Sequence, residues 1–446
     1  MKATDPQQTL PGVPEAKQGR EVAPHWAWTE ASVWTERMLA TLERGIKGDK
    51  WYSLMDKVWK MENLQSAVAR VVHNKSPQKP DGQRCRRYAE QQDWRLPALQ
   101  SKLRKGEYQP QPVRRVWIPK LGSQELRPLG IPLVENRVVE MAVRQVIEPI
   151  FEQTFAEQSY GFRPGRGAKD ALRRVQQLLN AGQIWIVDAD VKGYFDNIPQ
   201  DQLLAAVAEH ISDGAVLELL RRFLKQGVME SGKGWQPTEK GTPQGAVISP
   251  LLANIYLNPL DHRMAQQGWE MVRYADDFII LCASAEQAQS ALTAVRQWME
   301  PAGLSLHPTK TRIVNASEPG GFDFLGYHFE RGHRWPRKKS LDKLKDALRA
   351  KTQRTRSDSV EDIIDDVNRS LRGWMKYFQH SHWTTFKPLD QWVRQRLRSI
   401  LRKRHKLGGR ARGRDHQRWP NDYFAIRGLI SLALARVQAA NAAKAH

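Results

Sequence analysis

Hydrophobic residues follow two spacings along this chain, and each spacing predicts a different kind of element. Short runs of β-branched and aromatic residues bounded by Pro, Gly or Asp occur at 113–133, 183–191 and 322–329. They predict strands, with a loop inside the first segment. The run at 183–191, QIWIVDADV, is apolar enough for the centre of a sheet. MVRY and FIILC flank residues 275–277 with room for only a tight turn, which predicts a hairpin.

Apolar residues at helical spacing indicate helices in other parts of the chain. The segments are 51–75, those that begin near Arg137 and near Ala168, and 242–257, which opens with turn residues. A further apolar stripe has the same spacing and consists of Val360, Ile363, Ile364, Val367, Leu371, Trp374, Met375 and Phe378. We expect this stripe to pack against a core rather than to bind a cofactor.

The length of the chain changes this picture, because 446 residues are too many for one compact core. Two or three domains are therefore expected. Residues 1–25 are rich in Pro, Gln and Gly with little periodicity, which predicts a flexible lead-in.

Charge points to a polyanionic partner. The chain has 70 Lys and Arg against 48 Asp and Glu, a net charge of +22, and residues 331–420 hold 26 of the basic residues and 9 of the acidic ones. Aromatic residues interleave with this stretch, as contacts to a nucleic-acid backbone and stacked bases require: Trp374, Tyr377, Trp383, Trp392 and Trp419. RNA or DNA is the favoured partner, and a merely soluble or ribosome-associated basic protein is the alternative.

Cysteine, histidine and hydropathy patterns exclude several classes. With only Cys85 and Cys282 and no CxxC pair, the chain has no zinc ribbon or cysteine-based nuclease module. His380 and His382 have the spacing for a shared ligand, although packing is the favoured interpretation. No apolar run reaches the roughly 18–20 residues of a membrane span and no signal pattern opens the chain, so we expect an intracellular, reduced protein without membrane contact.

Three aspartates are the candidate chemistry. Asp190 closes one predicted strand, and Asp276 with Asp277 lies at the tip of the predicted hairpin. Burying a carboxylate between apolar strand residues costs free energy unless the carboxylate is paired or binds a cation. Mg²⁺ prefers such oxygen ligands. The alternative is that Asp-Asp is only a turn motif, but a third acid on a second strand favours metal binding.

These residues lie in a longer set of motifs. YADD at 274–277 and VDADVKGYFDNI at 187–198 are accompanied, in order, by RPLGIP (127–132), SYGFRPGRG (159–167), GTPQGAVISPLLANIYL (241–257), GLSLHPTKTRIV (303–314) and FDFLGYHF (322–329). The set resembles, in sequence and spacing, the group II intron reverse transcriptases, also called maturases. The resemblance covers roughly residues 50–420.

The resemblance implies an α+β fold of the right-hand polymerase type, with fingers, a palm built on an antiparallel sheet, a helical thumb and a small basic C-terminal helical region. It implies the flexible lead at 1–25, fingers and palm over 26–330, the thumb or maturase domain over 331–391 and the basic DNA-binding region over 392–446.

Roles follow from the resemblance position by position. Asp190, Asp276 and Asp277 would hold two Mg²⁺, with Mn²⁺ as a possible substitute, and the carbonyl of Val191 would add a ligand. Phe195 would exclude a ribose 2′-hydroxyl, the alternative being a core aromatic.

The remaining roles concern nucleotide and nucleic acid. Gln244 would lie under the incoming nucleotide, Lys120 and Arg127 would clamp its triphosphate, and Lys310 would steady the primer end or the nucleotide. The alternative for Lys120 and Arg127 is that they are only surface cations. Arg163 is expected to be either structural or a template contact. The tail residues expected to bind nucleic acid are Arg394, Arg398, Arg402, Lys403 and Arg404.

Two departures from the family limit these implications. The loop NKSPQKPDG at 74–82 has less glycine than the usual one, and the Cys-pair endonuclease module of some relatives is absent. We therefore expect an intron-encoded RNA-directed DNA polymerase without endonuclease, primed from a nascent strand at a replication fork.

The expected partners are the intron RNA, an RNA template with a DNA primer, target DNA and dNTPs, in a bacterial, cytoplasmic, nucleoid-associated ribonucleoprotein. The alternatives are a splicing-only RNA-binding protein and a reverse transcriptase recruited to repair or phage defence. An RNA-dependent RNA polymerase would share the acid geometry, but the contexts of YADD and Phe195 favour DNA synthesis.

Overall fold

A computed structural model describes residues 26–46, 48–73, 80–119, 126–407 and 413–444. These residues form two compact units. The first comprises the described parts of Met1–Gln109, Val134–Thr154 and Ala208–Leu219; the second comprises those of Pro110–Leu133, Phe155–Val207 and Leu220–His446. The predicted lead-in at 1–25, residues 74–79 of the early loop and Lys120 lie outside the described residues. The division into fingers, palm, thumb and basic region stays a prediction.

Helices dominate the described chain. In order they are α1 (Glu36–Arg44), α2 (Met55–Val58), α3 (Met61–His73), α4 (Pro80–Glu90), α5 (Gln92–Arg104), α6 (Val134–Glu152), α7 (Ala168–Asn180), α8 (Tyr194–Asn197), α9 (Gln200–Ala208), α10 (Gly214–Lys225), α11 (Ser249–Gln266), α12 (Ala285–Met299), α13 (Lys338–Lys351), α14 (Val360–Phe378), α15 (Phe386–Arg404), α16 (Gly413–Arg418), α17 (Asn421–Ile426) and α18 (Leu432–Lys444). In the described ranges, no helix is both long and apolar enough to cross a membrane.

The described strands form three sheets, all in the second unit. The strands are β1 (Val113–Pro119), β2 (Leu126–Ile131), β3 (Trp185–Asp190), β4 (Val228–Glu230), β5 (Gly234–Gln236), β6 (Glu270–Tyr274), β7 (Asp277–Cys282), β8 (Arg312–Asn315), β9 (Phe322–Phe324), β10 (Tyr327–Glu330) and β11 (His333–Pro336). Their orders are β2-β1-β4-β5, β6-β7-β3-β8 and β11-β10-β9.

The first unit is a helical core around α6. This helix is buried along most of its length and packs on α3. The buried Asn63 side chain donates to the carbonyls of Val58 and Ala142, which ties the two helices together. The predicted helix over 51–75 is two helices, α2 and α3. The Asp213 carboxylate accepts hydrogen bonds from the backbone N–H groups of Met55 and of Val216. One side chain therefore provides a hydrogen-bond acceptor for the first turns of both α2 and α10.

The central sheet of the second unit is antiparallel throughout. β3 lies between β7 and β8, and β6 pairs with β7 through the predicted hairpin. One face of this sheet packs with α7 and the β9–β10 hairpin in a core that contains Val175, Ile186, Ile279 and Phe322. The predictions of a central strand at 183–191 and of a hairpin around 275–277 are confirmed.

The prediction of one strand at 322–329 is wrong. The chain reverses at Leu325 and Gly326, both with positive φ, so that β9 and β10 pair with each other. The aromatic residues alternate at period two within each strand, at 322 and 324 and again at 327 and 329, and the phase of the alternation shifts by one residue at the turn.

The C-terminal helices share one core. The stripe of α14 is buried as predicted and packs with Val393 and Leu397 of α15, Phe424 of α17 and Leu432 of α18. Four of the five aromatics expected to stack on nucleic acid, Trp374, Tyr377, Trp392 and Trp419, are buried or half-buried in this core and its neighbour. The fifth, Trp383, is exposed. The expectation of stacking is therefore wrong for Trp419, whose buried ring completes the helix packing, and stays a prediction for the three half-buried rings.

Candidate active site

Strand register brings the predicted metal ligands together. Asp190, the last residue of β3, lies directly opposite Asp277, the first residue of β7, and Asp277 also pairs with Tyr274 of β6. Asp276 lies in the turn between β6 and β7. Directly opposed like charges destabilise an antiparallel pair, so the fold places these carboxylates together at an electrostatic cost.

Asp188 is a fourth acid on the same face, because side chains two residues apart on a strand project to the same side. Sequence reasoning missed it, although VDADV shows the i, i+2 spacing. Its carboxylate accepts a hydrogen bond from Arg312 Nε at 3.1 Å. Burial raises the pKa of Asp188, and this ion pair opposes the rise.

Desolvation and neighbouring negative charge raise the pKa of both aspartates of the hairpin. Partial desolvation by the surrounding protein, followed by the charges of Asp188, Asp276 and Asp190, raises the pKa of Asp277 to about 7. Desolvation also raises the pKa of Asp276, and the Asp190 charge adds to it. Lys310 Nζ lies 2.9 Å from Asp190 Oδ2, which places this cation beside the first predicted ligand.

Buried Arg273 holds the turn that carries Asp276. Its guanidinium pairs with the Asp261 carboxylate of α11, and both side chains are fully buried. The same guanidinium donates to Asn254 Oδ1 at 2.9 Å and to the carbonyl of Ala275 at 2.8 Å. Ala275 has φ +61°, an uncommon conformation for a residue with a Cβ, so this hydrogen bond stabilises a strained turn.

The loop before α7 supports the same turn from behind. Tyr160 N–H donates to the Arg273 carbonyl at 2.9 Å, and Gly161 lies so close that a Cβ there would stand 2.2 Å from the backbone nitrogen of Ala275. Arg163 is buried and donates to the carbonyls of Ala156 and Ser159 within this loop. Of the two roles expected for Arg163, the structural one fits this place; a template contact does not, because the side chain is not at the surface.

Two of the predicted nucleotide contacts, Arg127 and Gln244, are joined by hydrogen bonds to each other and to Asp196. Arg127 Nε donates to Gln244 Oε1 at 2.8 Å, and Gln244 Nε2 donates to Asp196 Oδ2 at 3.0 Å. Asp196 was not predicted, although it follows the predicted steric gate Phe195. Its carboxylate fixes which end of the Gln244 amide faces Arg127.

A cavity of about 530 Å³ lies beside the hydrogen-bonded residues Asp196 and Gln244. Phe195, Asp196 and Gln244 line it on one side, and Arg115 and Trp117 of β1 line it on another. Phe195 is buried, in edge contact with Tyr194 at 5.5 Å between ring centroids. Val191 is buried and bridges to Leu306, next to Asp190. The cavity therefore adjoins both the predicted gate and the predicted nucleotide contacts.

The tail residues divide into surface and interior positions. Arg398 is buried, where it donates to the Trp419 carbonyl and to Asn421 Oδ1, so the expectation that it binds nucleic acid is wrong: packing between α15 and α17 occupies it. Arg402 pairs with Asp415, and Arg404 donates to the Asp358 carbonyl. Arg394 is half-buried, and Lys403 is exposed.

The donor set fits a hard divalent cation. Within the described ranges no three His, Cys, Asp or Glu side chains already stand in a metal-ligating arrangement. The hairpin and β3 nonetheless bring four carboxylates together here, and desolvation together with neighbouring negative charge raises the pKa of Asp276 and of Asp277. A divalent cation would remove this repulsion, and its preferred ligands are such oxygens.

Two family models match the chain. Residues 118–329 match the reverse transcriptase (RNA-dependent DNA polymerase) domain, and residues 341–419 match the group II intron, maturase-specific domain. Protein YkfC of Escherichia coli (strain K12) is 34% identical over 275 residues, which cover 53% of this chain and 71% of YkfC. The chain belongs to the group II intron reverse transcriptases and maturases.

Similarity to one relative is higher over a shorter stretch. The group II intron-encoded protein LtrA of Lactococcus lactis subsp. cremoris is 43% identical over 166 residues, 37% of this chain and 27% of LtrA. The chain thus spans about a quarter of LtrA. A solved telomerase structure from Candida albicans is 15% identical to this chain. The match covers 67% of this chain and 60% of the telomerase chain, with a TM-score of 0.41.

Membership of the group II intron reverse transcriptases and maturases confirms three predictions. The fold class is the right-hand polymerase type, the enzyme class is RNA-directed DNA polymerase, and the maturase function accompanies it. Polymerases of the reverse transcriptase family use divalent metal ions. The individual site residues stay predictions.

Proposed function

We propose that this chain extends a DNA primer on an RNA template, taking dNTPs as substrates and Mg²⁺ as the metal held by Asp190, Asp276 and Asp277. One observation carries the proposal: Asp190 lies opposite Asp277 across two paired strands, with Asp276 in the adjoining turn. Two Mg²⁺ ions bound there would supply activation of the primer 3′-hydroxyl and stabilisation of the leaving pyrophosphate.

The surrounding residues have separate tasks in this proposal. Arg127 binds the triphosphate and Gln244 contacts the incoming nucleotide, while Asp196 keeps Gln244 oriented through its 3.0 Å hydrogen bond. The Phe195 ring excludes a 2′-hydroxyl, because it borders the cavity beside these contacts. Lys310 pairs with the Asp190 carboxylate and would contact the primer end or the nucleotide.

RNA binding accompanies the polymerase activity in this proposal. The maturase-specific domain match and the basic excess of residues 331–420 support binding of intron RNA, which the chain would assist in splicing and copy during mobility. The same basic surface would contact target DNA.

Primer extension tests the proposal. The purified full chain is given a DNA primer annealed to an RNA template, four dNTPs and Mg²⁺. We expect the wild type to extend the primer and Asp276→Ala or Asp277→Ala to lower the rate by about 10³-fold or more, since transition-state charge stabilisation is lost. Binding of the primer–template should be retained.

Asp342→Ala is the matched control, because this exposed aspartate on α13 lies outside the carboxylate group. It should extend the primer at the wild-type rate. Normal extension by Asp276→Ala or Asp277→Ala would refute the metal assignment, and absence of extension by the folded wild type would refute the proposed activity.

A further inference from the structure

Four aromatic rings from two separate segments meet at the surface of the second unit. His333 and Trp335 lie on one face of β11, and His382 and Trp383 lie at the junction of α14 and α15. The His382 ring centroid is 4.6 Å from that of His333, 5.3 Å from that of Trp335 and 5.5 Å from that of Trp383. These four residues are called the aromatic platform below.

Hydrogen bonds fix the platform in place. The backbone N–H of His382 donates to the Arg334 carbonyl at 2.7 Å, and Arg334 Nε donates to the His380 carbonyl at 3.1 Å. Trp335 Nε1 donates to Thr384 Oγ1 at 3.2 Å. The two segments are thus joined through both backbone and side chains, and the rings are preorganised.

The exposure of the platform distinguishes it from the other aromatics of the C-terminal region. Trp383 is 69% exposed and His333 is also exposed, whereas Trp374, Tyr377, Trp392 and Trp419 contribute to cores. Trp335 and His382 are half-buried between these two exposed rings. A fixed group of adjoining rings that is open to solvent on one side is suited to binding a partner with a flat apolar face.

Positive charge lies near one end of the platform. The charges of Arg334, Arg436, Lys169 and Arg173 all act on His380, two residues before His382. The acids on the same sheet face are Asp323 and Glu330, and both carboxylates are bonded to the His328 ring, at 2.8 and 3.3 Å. The excess of cations complements a phosphate backbone.

We propose that the aromatic platform binds single-stranded RNA by stacking unpaired bases on Trp383 and its neighbouring rings. This inference rests on the proposed function, since it adds a site to a chain that binds RNA. Every base has a π-face, so stacking is tolerant of sequence, whereas the bases of a duplex stack on each other and offer no free face. The nearby cations would follow the backbone of the same strand.

The test uses the full chain and a labelled single-stranded oligoadenylate RNA. Trp383→Ala should weaken binding about tenfold, while Trp383→Phe, which keeps an aromatic face, should stay within about threefold of the wild type. Because stacking neutralises no phosphate, the slope of log affinity against log salt should be unchanged in both variants. Tyr52→Ala, which removes a ring that is 64% exposed in the first unit, is the matched control.

Primer extension on a pre-annealed, saturating RNA–DNA duplex separates this inference from the proposed function. It should proceed normally in Trp383→Ala, whose side chain lies outside the carboxylate group. Unchanged oligoadenylate affinity in Trp383→Ala overturns the proposal, as does an equal loss in Trp383→Phe. If Trp383→Ala loses affinity only for a DNA oligonucleotide of the same sequence and not for the RNA, the assignment to RNA is overturned.

Discussion

At the scale of single residues, position in the fold gives each candidate side chain its role. Asp190 and Asp277 were identifiable from the sequence because each closes or opens an apolar strand. Asp188 was identifiable too, because its i, i+2 spacing from Asp190 places both side chains on one face of the strand, but Asp196, which only follows Phe195, has no pattern of its own. The hydrogen-bonded chain of Arg127, Gln244 and Asp196 joins residues 117 and 48 positions apart, and only the fold brings them together.

Phe195 is the residue whose role is easiest to separate from folding. Replacing Phe195 by Ala opens the cavity beside Gln244 and should increase ribonucleotide incorporation by about 10- to 100-fold relative to deoxyribonucleotide, since a steric barrier to the 2′-hydroxyl is removed. The ratio of kcat/KM for each nucleotide pair measures this. Phe329→Leu, which alters a buried ring in the core packed against the sheet, should leave the ratio unchanged. An unaltered ratio in Phe195→Ala would make Phe195 a core aromatic only.

At the scale of elements, local patterns predicted several helices and strands but not all of the turns between them. β3, the β6–β7 hairpin, α11 and the buried stripe of α14 followed from spacing and turn residues. The reversal at Leu325 and Gly326 did not, because each of its strands alternates at period two and only a one-residue shift of phase marks the turn between them. No pattern in the sequence predicts the burial of Arg273 directly before YADD, because its partners on α11 lie 12 and 19 residues away.

The Arg273 network predicts a separation between folding and catalysis. Arg273→Met leaves the Asp261 carboxylate buried without its partner, so it should lower the free energy of unfolding by about 3–5 kcal/mol. The double variant Arg273→Met/Asp261→Leu removes both charges and should regain most of that stability. Its primer-extension rate should stay low, because the hydrogen bond to the Ala275 carbonyl is still missing.

Denaturant unfolding and single-turnover extension measure the two effects. Recovery of both the stability and the rate in the double variant would show that Arg273 supports the fold without positioning the turn.

At the scale of the whole molecule, net charge predicted a nucleic-acid partner but could not say which cations reach it. Burial decides this, and burial is a property of the packed helices. Arg398 and Lys403 lie five residues apart on α15, one in the interior and one on the surface. The predicted basic region is also part of a shared core with α14, so deleting it would remove Val393, Leu397 and Phe424 from that core.

Point substitutions therefore test the basic surface better than truncation. Lys403→Gln should weaken RNA binding and reduce the salt slope by about 0.7–0.9, the contribution of one neutralised phosphate. Arg398→Gln, matched in charge but buried, should lower the free energy of unfolding and leave the slope of the folded protein unchanged. A smaller slope in Arg398→Gln together with a normal one in Lys403→Gln would reverse this assignment.

In the proposed function, the end of β3 and the turn between β6 and β7 together hold the catalytic divalent ions. The most direct test is to count the Mn²⁺ ions that the full chain binds, by electron paramagnetic resonance, with primer–template and a non-hydrolysable dNTP analogue. The wild type should bind about two Mn²⁺ ions, and Asp277→Asn should bind at least one ion fewer under the same conditions. Equal Mn²⁺ binding by the wild type and Asp277→Asn would contradict the claim that these carboxylates form the metal site.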